Sequence, residues 1–452
     1  METVAPFVRH LAFTLIFLLT GFEQGRSESW PQFRGPRGDG VAAAKGVPTE
    51  FSETIGVKWK TPLPGRGWSS PVFDGMNLWM TTAIEIFPTE AERLERLKAE
   101  GGEEKKFKSR QVATQIDLAV LKVDYASGEL LESISLKTIK EPQTIHAFNS
   151  FASPTPVLES GVLFAHFGAF GTFAVNTETL DLEWSTVVEL EHGVGPGSSP
   201  FIHGDHLFLI CDGVDRQFVT ALDKDSGKEA WLVDRPEMRA PLGDQKKSYN
   251  TPLLVTGSDG REQLICMGAQ WLISYDPATG DEIWRLDHGS GFSVVPRPVF
   301  SEKHQLLYLS TGFGKPVLLA VRVDGSGDIT GKNKIMWREE KRIPAKPSPL
   351  LVDDELYVIS DGGIATCFDA LIGTNHWTER IDGNYSASPL FADGHIYFAN
   401  QEGSINVIRP GKVFEVIATN QLDGSIMASP IALDGSLIIR SDTAIYRFSK
   451  SE

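Results

Sequence analysis

A proline recurs along almost the whole chain, usually as the second residue of a Ser-Pro pair that leads into apolar residues. After the first interval the spacing is 40 to 52 residues, which is the period of four-stranded blades in a β-propeller. Proline is tolerated at the first position of a strand, where no ladder hydrogen bond needs its N–H. The repeat therefore predicts eight blades, and the prolines that open their first strands are Pro71, Pro156, Pro200, Pro252, Pro298, Pro349, Pro389 and Pro430.

A second landmark follows in five of the repeats: an Asp or Asn, then a turn, and in four of the five a tryptophan eight residues later. The five segments are "DYASGELLE" (124–132), "NTETLDLEW" (176–184), "DKDSGKEAW" (223–231), "DPATGDEIW" (276–284) and "DALIGTNHW" (369–377). The Asx side chain caps the turn, glycine supplies a positive φ, and tryptophan adds a large apolar surface to the contact between blades. We expect this structural role of Trp59, Trp184, Trp231, Trp284, Trp337 and Trp377.

Some copies depart from this pattern. Blade 1 has Glu132 in the tryptophan position, and blade 2 has Leu180 where the other copies have glycine. Blade 5 lengthens the turn that ends at Trp337, and blade 7 ends in Phe414. The intervening runs, such as "HLFLI" and "ELYVIS", have the β-branched and aromatic content of strands.

The two ends of the repeat array complement each other. The eighth repeat (429–448) has three strands, while "GVKWK" (56–60) is a single outer-strand fragment that precedes the first Ser-Pro pair. Pairing the two would close the ring and remove its free edges. The sequence therefore predicts an all-β fold over 56–449, an eight-bladed β-propeller of four-stranded blades closed by an N-terminal outer strand.

The blade motif, SP followed by D-x-x-[TS]-G-x-x-x-W, resembles the PQQ-like (pyrroloquinoline-quinone-type) propeller repeat. Quinoprotein alcohol dehydrogenases and BamB-type outer-membrane assembly proteins share that repeat. The segments "WPQFRGPRGDGV" (30–41), "WKTPLPGRGWSSPV" (59–72) and "NSFASPTPV" (149–157) are similar to exported repeat proteins of planctomycete-type bacteria. The resemblance covers nearly all of the mature chain and implies this propeller fold, but a fold shared by enzymes and assembly proteins does not imply one function.

Charge and the first residues indicate the compartment and exclude some partners. The formal net charge of −16 argues against a nucleic-acid or anionic-membrane partner, because both require a basic surface. Residues 1–27 have a basic start and an apolar stretch at 11–21, as in a signal peptide. We expect export to the periplasm or beyond, with no transmembrane segment after cleavage.

Cys211, Cys266 and Cys367 do not form a disulfide framework and are expected to be buried, inert thiols.

Two segments lie outside the blade pattern. Residues 28–55 are predicted to be an ordered lead-in arm fastened across the last and first blades, with Trp30 and Phe33 as anchors. Their glycines do not form a phosphate-binding loop, since no strand precedes them and no Lys-Ser/Thr follows. Residues 84–116 are predicted to be a helical insertion in blade 1 that starts with a Thr89–Glu92 capping box. That insertion could be a lid or docking arm, or only a solvated helix resting on the rim.

The loops that precede the first strands and those between second and third strands meet around one end of the channel. We call this end the mouth. Basic and aromatic residues are prominent in these loops, which would suit a small anionic or planar ligand such as a quinone carboxylate or a carbohydrate. The alternative is a solvated loop face whose cations pair with nearby acids. The ligand-binding candidates are Arg66, Trp68, His146, Asn149, His192, Tyr249, Arg297, Lys315, Lys346 and Tyr385.

Motifs for chemistry are missing from the sequence. It contains no HExxH, no G-x-S-x-G and no Walker A motif, and it lacks both the adjacent cysteines of quinoprotein dehydrogenases and the lipid-anchor cysteine of BamB. We therefore expect no catalytic residue, no metal site and no cofactor. The expected function is that of an exported, monomeric, non-catalytic scaffold that binds a protein partner or ligand at the mouth. The alternatives are a redox dehydrogenase that uses PQQ with Ca²⁺, or a carbohydrate- or cell-wall-binding propeller.

Overall fold

The computed structural model describes residues 1–2, 29–101, 104–289 and 291–450 of the chain. The predicted signal peptide therefore lies almost entirely outside the described residues. In the described part, the apolar run after each Ser-Pro pair or its equivalent forms a short first strand, and three further antiparallel strands complete each sheet. The predicted eight blades are confirmed.

The ring closes as the sequence predicted. Strand β1 (Val57–Pro62) pairs antiparallel with the last strand of the chain, with Lys60 opposite Tyr446 and Pro62 opposite Ala444. It thereby supplies the fourth, outer strand of blade 8. Because this strand comes from the other end of the chain, unfolding one terminal blade requires breaking contacts at both ends of the sequence.

Blades 1 to 4 follow β1 in chain order. Blade 1 contains β2 (Val72–Phe73), β3 (Asn77–Ile86), β5 (Gln115–Asp124) and β6 (Leu130–Lys140), and β4 (Arg110–Gln111) pairs with β7 (Ile145–His146) beside it. Blade 2 contains β8 (Val157–Glu159), β9 (Val162–His166), β10 (Thr172–Asn176) and β11 (Leu182–Thr186). Blade 3 contains β12 (Phe201–His203), β13 (His206–Asp212), β14 (Gln217–Asp223) and β15 (Glu229–Asp234). Blade 4 contains β16 (Leu253–Thr256), β17 (Glu262–Met267), β18 (Trp271–Tyr275) and β19 (Glu282–Asp287).

Blades 5 to 8 complete the ring. Blade 5 contains β20 (Val299–Ser301), β21 (Leu306–Ser310), β22 (Leu318–Arg322) and β24 (Ile335–Glu339). The lengthened turn of blade 5 contains β23 (Gly327–Asp328), which pairs with the outer strand of blade 4. Blade 6 contains β25 (Leu350–Val352), β26 (Glu355–Ile359), β27 (Ile364–Asp369) and β28 (Asn375–Arg380). Blade 7 contains β29 (Leu390–Ala392), β30 (His395–Ala399), β31 (Ser404–Arg409) and β32 (Glu415–Gln421). Blade 8 contains β33 (Ile431–Leu433), β34 (Ser436–Arg440) and β35 (Ala444–Ser449), together with β1.

The outer-strand tryptophans join neighbouring blades through the turns of the second landmark. Trp184 of blade 2 donates its indole N–H to the Lys224 carbonyl in the turn of blade 3, at 2.8 Å. Its ring lies against Gly227, where an added Cβ would come within 2.4 Å. The same bond to a backbone carbonyl of the next blade's turn recurs for Trp59, Trp231, Trp337 and Trp377.

Trp284 differs from the other tryptophans. Its indole N–H donates to Gln263 Oε1 of its own blade, at 2.7 Å. The next turn, in blade 5, is the lengthened one, and Ile329 from that turn joins the apolar cluster that contains Trp284. At this junction the apolar contact of Ile329 with the Trp284 cluster therefore takes the place of the indole bond to a backbone carbonyl of the next blade.

The lead-in arm takes a longer path than the predicted strap across the last and first blades. Trp30 bridges to Phe73 of β2, and the Pro31 carbonyl accepts from the Leu158 N–H of β8. The chain then crosses the channel, where the Phe33 carbonyl accepts from Arg297 of blade 5 and Arg34 donates to the Pro349 carbonyl of blade 6, and Val41 pairs with Phe391 of β29. Ala42, Ala44, Val47 and Phe51 then lie in the apolar cluster that contains residues of blades 1, 7 and 8. The arm therefore contacts the free edges of first strands on opposite sides of the ring.

The insertion in blade 1 forms helix α1 (Glu90–Ala99), which lies at the mouth end of the molecule. Thr89 and Glu92 make the reciprocal bonds of a capping box. Leu97 packs with Phe107 and Val112 in a small separate apolar cluster. No helix among the described residues is long and apolar enough to cross a membrane.

Candidate functional site

A cavity of about 610 Å³ opens at the mouth and extends into the central channel. Loops that precede the first strands of all eight blades surround it, and Phe33 of the arm also lines it. Because the arm crosses the channel, we interpret Phe33 as the floor of a cavity with one opening. The lining includes Trp68, Ser70, His146, Phe148, Asn149, Thr155, Ser199, Tyr249, Thr251, Phe292, Phe313, Lys346, Ser348, Ser388 and Ser429.

A ring of hydroxyl groups forms the wall of the cavity. The residue before each blade-opening proline is Ser or Thr in seven blades, and in six of these its backbone N–H donates to the hydroxyl of the next blade. Ser70 donates to Thr155 at 2.9 Å, for example, and Ser429 donates to Ser70 at 3.1 Å. Blade 5 has Arg297 at this position, and the Arg297 N–H donates to Ser348 at 2.9 Å. The ring fixes the spacing of the first strands and leaves hydroxyl groups facing the cavity.

Aromatic side chains form the rim above this ring. Phe148 is 43% exposed and Phe313 is 37% exposed, which is high for side chains of this size. The Trp68 indole donates to the Phe148 carbonyl at 3.2 Å and therefore holds one rim loop against the next. The rim thus presents a partly solvent-exposed apolar surface around an opening, a feature typical of binding sites.

Two cations lie next to rim aromatics. The Arg66 guanidinium is 4.8 Å from the Trp68 ring centroid, and Lys346 Nζ is 4.5 Å from that of Phe148. Lys346 Nζ is also 3.5 Å from Asp361 Oδ2. Burial lowers the pKa of the Lys346 ammonium, and the nearby Asp361 charge opposes that shift. These contacts place positive charge at the edge of an apolar opening.

Five of the ten predicted candidates line the cavity: Trp68, His146, Asn149, Tyr249 and Lys346. The Asn149 amide is occupied in joining loops, since its Nδ2 donates to the carbonyls of Val194 and Pro196. The backbone N–H of Phe148 donates to His146 Nδ1 at 3.2 Å. Burial, with the charges of Arg110 and Lys247, lowers the pKa of His146. The imidazole is therefore neutral at pH 7 and accepts from its own loop.

The other five candidates are not among the described residues that line the cavity. His192 is buried and accepts from the Ala169 N–H at 2.9 Å, and burial lowers its pKa to about 3. Tyr385 is fully buried, with its hydroxyl donating to the Asp382 carbonyl. Arg297 is buried against the arm, Arg66 lies on the rim, and Lys315 is exposed. A loop's position in the sequence predicts its end of the propeller, but not the direction of each side chain.

Sequence reasoning missed one titratable group at the rim. Gln111 Nε2 donates to Glu85 Oε1 at 2.8 Å, and Arg66 donates to Gln111 Oε1. Burial raises the pKa of Glu85 to about 7, even though the charge of Arg66 acts in the opposite direction. Glu85 lies at the end of β3, where the strand continues into the insertion, and no motif marks it.

The cavity does not fit a quinone with calcium. Ca²⁺ takes six to eight oxygen ligands, among which carboxylates dominate, yet no Asp or Glu is among the described residues that line the cavity. The carboxylates of the quinone would need several cations, whereas the lining offers Lys346, which already faces Asp361. Across the described residues, no group of three or more His, Cys, Asp or Glu side chains is arranged to hold a metal ion.

The comparison with protein families shows to which family the chain belongs. The family model described as "Outer membrane protein assembly factor BamB" matches residues 117–285 and 268–452, which together span more than half of the sequence. The chain belongs to this BamB family. The resemblance predicted from the blade motif is thus confirmed at the level of the repeat. No curated protein matches the sequence.

Solved structures show the same fold as this BamB-family chain at low sequence identity. BamB from Moraxella catarrhalis is 14% identical, with a TM-score of 0.52 over 75% of this chain and 96% of that one. A europium-containing methanol dehydrogenase is 11% identical, with a TM-score of 0.50 over 92% of this chain and 90% of that one. The computationally designed Ika8 protein is 10% identical, with a TM-score of 0.51 over 75% of this chain and 95% of that one. At these identities the likeness shows the propeller fold alone.

Proposed function

We propose that the chain is an exported, non-catalytic BamB-family propeller that acts as a binding scaffold, and that an apolar segment of a protein partner inserts into the mouth cavity. One observation carries the proposal: the cavity combines a half-exposed aromatic rim with a hydroxyl wall and has no carboxylate among its described lining residues. Such a lining binds by apolar contact and hydrogen bonds.

The chemistry of the occupant follows from the rim. Exposed Phe148 and Phe313 favour aliphatic or aromatic side chains, whose burial contributes about 25 cal/mol per Å². Arg66 and Lys346 favour carbonyl or carboxylate groups next to that apolar segment. The description of the family as an outer-membrane assembly factor supports a protein occupant and a periplasmic location.

The test compares partner binding by three forms of the full mature chain. The double variant Phe148→Ser/Phe313→Ser removes apolar surface from the rim. The control, Leu371→Ser/Ile372→Ser, removes exposed apolar surface from a turn at the opposite end of blade 6. We expect proteins co-isolated from envelope extracts with the wild type to be lost with the rim variant and retained with the control. Equal recovery with all three forms would contradict the proposal.

The second candidate is a PQQ-dependent dehydrogenase. The likeness to methanol dehydrogenase over 92% of the chain makes it worth testing, although no carboxylate that could bind calcium is among the described lining residues. Binding of PQQ can be measured by titrating the purified protein with PQQ and Ca²⁺ and following its tryptophan fluorescence. We expect no saturable quenching. Saturable quenching that a Trp68→Phe variant changes would favour the dehydrogenase over the scaffold.

A further inference from the structure

Two arginines are buried where the arm crosses the channel. Arg34 follows Phe33 in the arm and is 2% exposed, while Arg297 of blade 5 is 1% exposed. Arg297 Nη1 donates to the Phe33 carbonyl at 2.7 Å, so the two arginines occupy the same region of the channel. The positive charge of Arg34 also acts directly on Arg297.

Neutral carbonyl groups are the acceptors for both guanidinium groups. Arg34 Nη2 donates to the carbonyls of Asp39 and Pro349, at 2.5 and 2.8 Å. Arg297 donates to the carbonyls of Phe33 and Pro252, at 2.7 and 2.8 Å. These bonds orient the guanidinium groups but do not neutralise their charge.

The nearby carboxylate is already engaged. Asp39 acts electrostatically on both buried arginines. Its Oδ2, however, accepts from the exposed Arg37 at 2.8 Å, and its Oδ1 accepts from the Val41 N–H at 2.9 Å. The buried pair therefore keeps an excess of positive charge.

Both guanidinium groups also retain unused donors. Arg34 Nε and Nη1 and Arg297 Nε are buried and make no hydrogen bond among the described residues. A buried donor without an acceptor is destabilising, and more so when it is charged. Burial lowers the pKa of Arg34 to about 10 and that of Arg297 to about 9. Both groups consequently remain charged at pH 7.

We propose that a small monovalent anion of the size of chloride binds to the unused N–H groups of Arg34 and Arg297 and fastens the arm to blade 5. The arm backbone packs directly against both guanidinium groups: a Cβ on Gly38 would lie 2.2 Å from Arg297 Nη1, and one on Gly40 would lie 2.8 Å from Arg34 Nη2. The unused N–H groups are themselves fully buried. An ion enclosed in this way is more easily a monatomic one than a phosphate or sulfate. The inference is independent of what occupies the mouth.

The direct test is anomalous diffraction from crystals of the mature wild-type chain grown in sodium bromide. We expect a bromide peak within hydrogen-bonding distance of both arginines. Density for water alone at this position, without an anomalous peak, would overturn the proposal. This measurement requires no variant, so it stands even if substitutions impair folding.

A second test measures the melting temperature in sodium chloride against sodium gluconate at equal ionic strength. The wild type should show a saturable rise of roughly 1–3 °C with chloride. Arg297→Ser supplies the hydroxyl found at this position in the other seven blades and should lose the rise. Arg338→Ala, which changes an exposed arginine on the outer strand of the same blade as Arg297, should keep it. A rise of equal size in all three proteins would show general salt stabilisation and contradict the site.

Discussion

At the scale of single residues, glycine and tryptophan form the contact that repeats between blades. The indole needs a flat, open surface on the neighbouring turn, and a glycine with positive φ provides it. Gly227 has a φ of 68° and lies under Trp184, whereas Gly204 has a φ of 59° and has no neighbour within 4 Å of an added Cβ. A substitution at Gly204 therefore measures the cost of backbone strain alone, whereas one at Gly227 measures strain together with the clash with Trp184.

Gly227→Ala should therefore destabilise the protein more than Gly204→Ala. Strain in the left-handed region costs each variant about 1 kcal/mol, and displacement of the Trp184 ring should add about 1–3 kcal/mol at Gly227. Urea unfolding monitored by tryptophan fluorescence measures both values. Equal losses would show that the ring moves aside without cost.

Glu85 gives a dependence of stability on pH. Its folded pKa of about 7 lies above the ordinary value of 4.5, so the folded state binds the proton more tightly than the unfolded state. The resulting stabilisation is fully present below pH 4.5 and is lost as the pH rises through 7. The expected loss is about 1–3 kcal/mol.

Urea midpoints measured between pH 4.5 and 8 test this dependence. Glu85→Gln keeps the shape of the side chain and cannot titrate. In this variant the urea midpoint should fall less steeply between pH 4.5 and 8 than it does in the wild type. If the wild type and the variant show the same slope between pH 5 and 8, other groups account for the dependence.

At the scale of elements, each blade junction is adapted to its own turn. Blade 1 has Glu132 in place of the tryptophan, and the facing turn of blade 2 has Leu180 in place of glycine. Leu180 adopts a φ of 67°, a strained conformation for a leucine, and packs against the apolar cluster between blades 1 and 2. The leucine side chain thus occupies space that an indole takes at other junctions.

This interpretation predicts strong coupling between positions 132 and 180. Glu132→Trp alone should clash with the leucine, and Leu180→Gly alone should leave a gap. The double variant should recover the glycine–tryptophan contact, with a coupling free energy of about 1–3 kcal/mol in a double-mutant cycle. Additive effects would indicate that the two side chains do not share this space.

At the scale of the whole molecule, the sequence predicted most of what repeats. The blade number, the turns and the closing strand depend on local patterns with a regular period, so they could be derived without coordinates. Ser or Thr precedes seven of the eight prolines, but the sequence analysis did not predict that these hydroxyl groups bond from blade to blade. Glu85 and the rim phenylalanines could not be derived in this way, because nothing in the repeat specifies which way a loop side chain points.

The path of the arm could not be predicted for a different physical reason. Its 29–55 segment has no periodic pattern, and its bonds connect residues far apart in sequence, such as Arg34 with Pro349. The predicted strap across two blades was therefore too short. Arg297, predicted to face a ligand, instead contacts the chain's own arm.

Closure of the ring can be measured by hydrogen exchange. The amides of β1 that pair with β35 should exchange about as slowly as those of β28, an outer strand whose blade is continuous in sequence. Closure joins the two ends of the chain, so β1 should open only with the rest of the ring. Exchange from β1 that is orders of magnitude faster than from β28 would indicate an open ring.

The central claim is that the mouth cavity is where a protein partner binds. Site-specific photo-crosslinking in intact cells tests it most directly, with a photoreactive residue at position 148 on the rim and, as the control, at position 372 at the opposite end of blade 6. We predict one discrete adduct from position 148 and none from position 372, with the crosslinked partner peptide containing apolar residues. No adduct from position 148, or the same adducts from both positions, would contradict the claim.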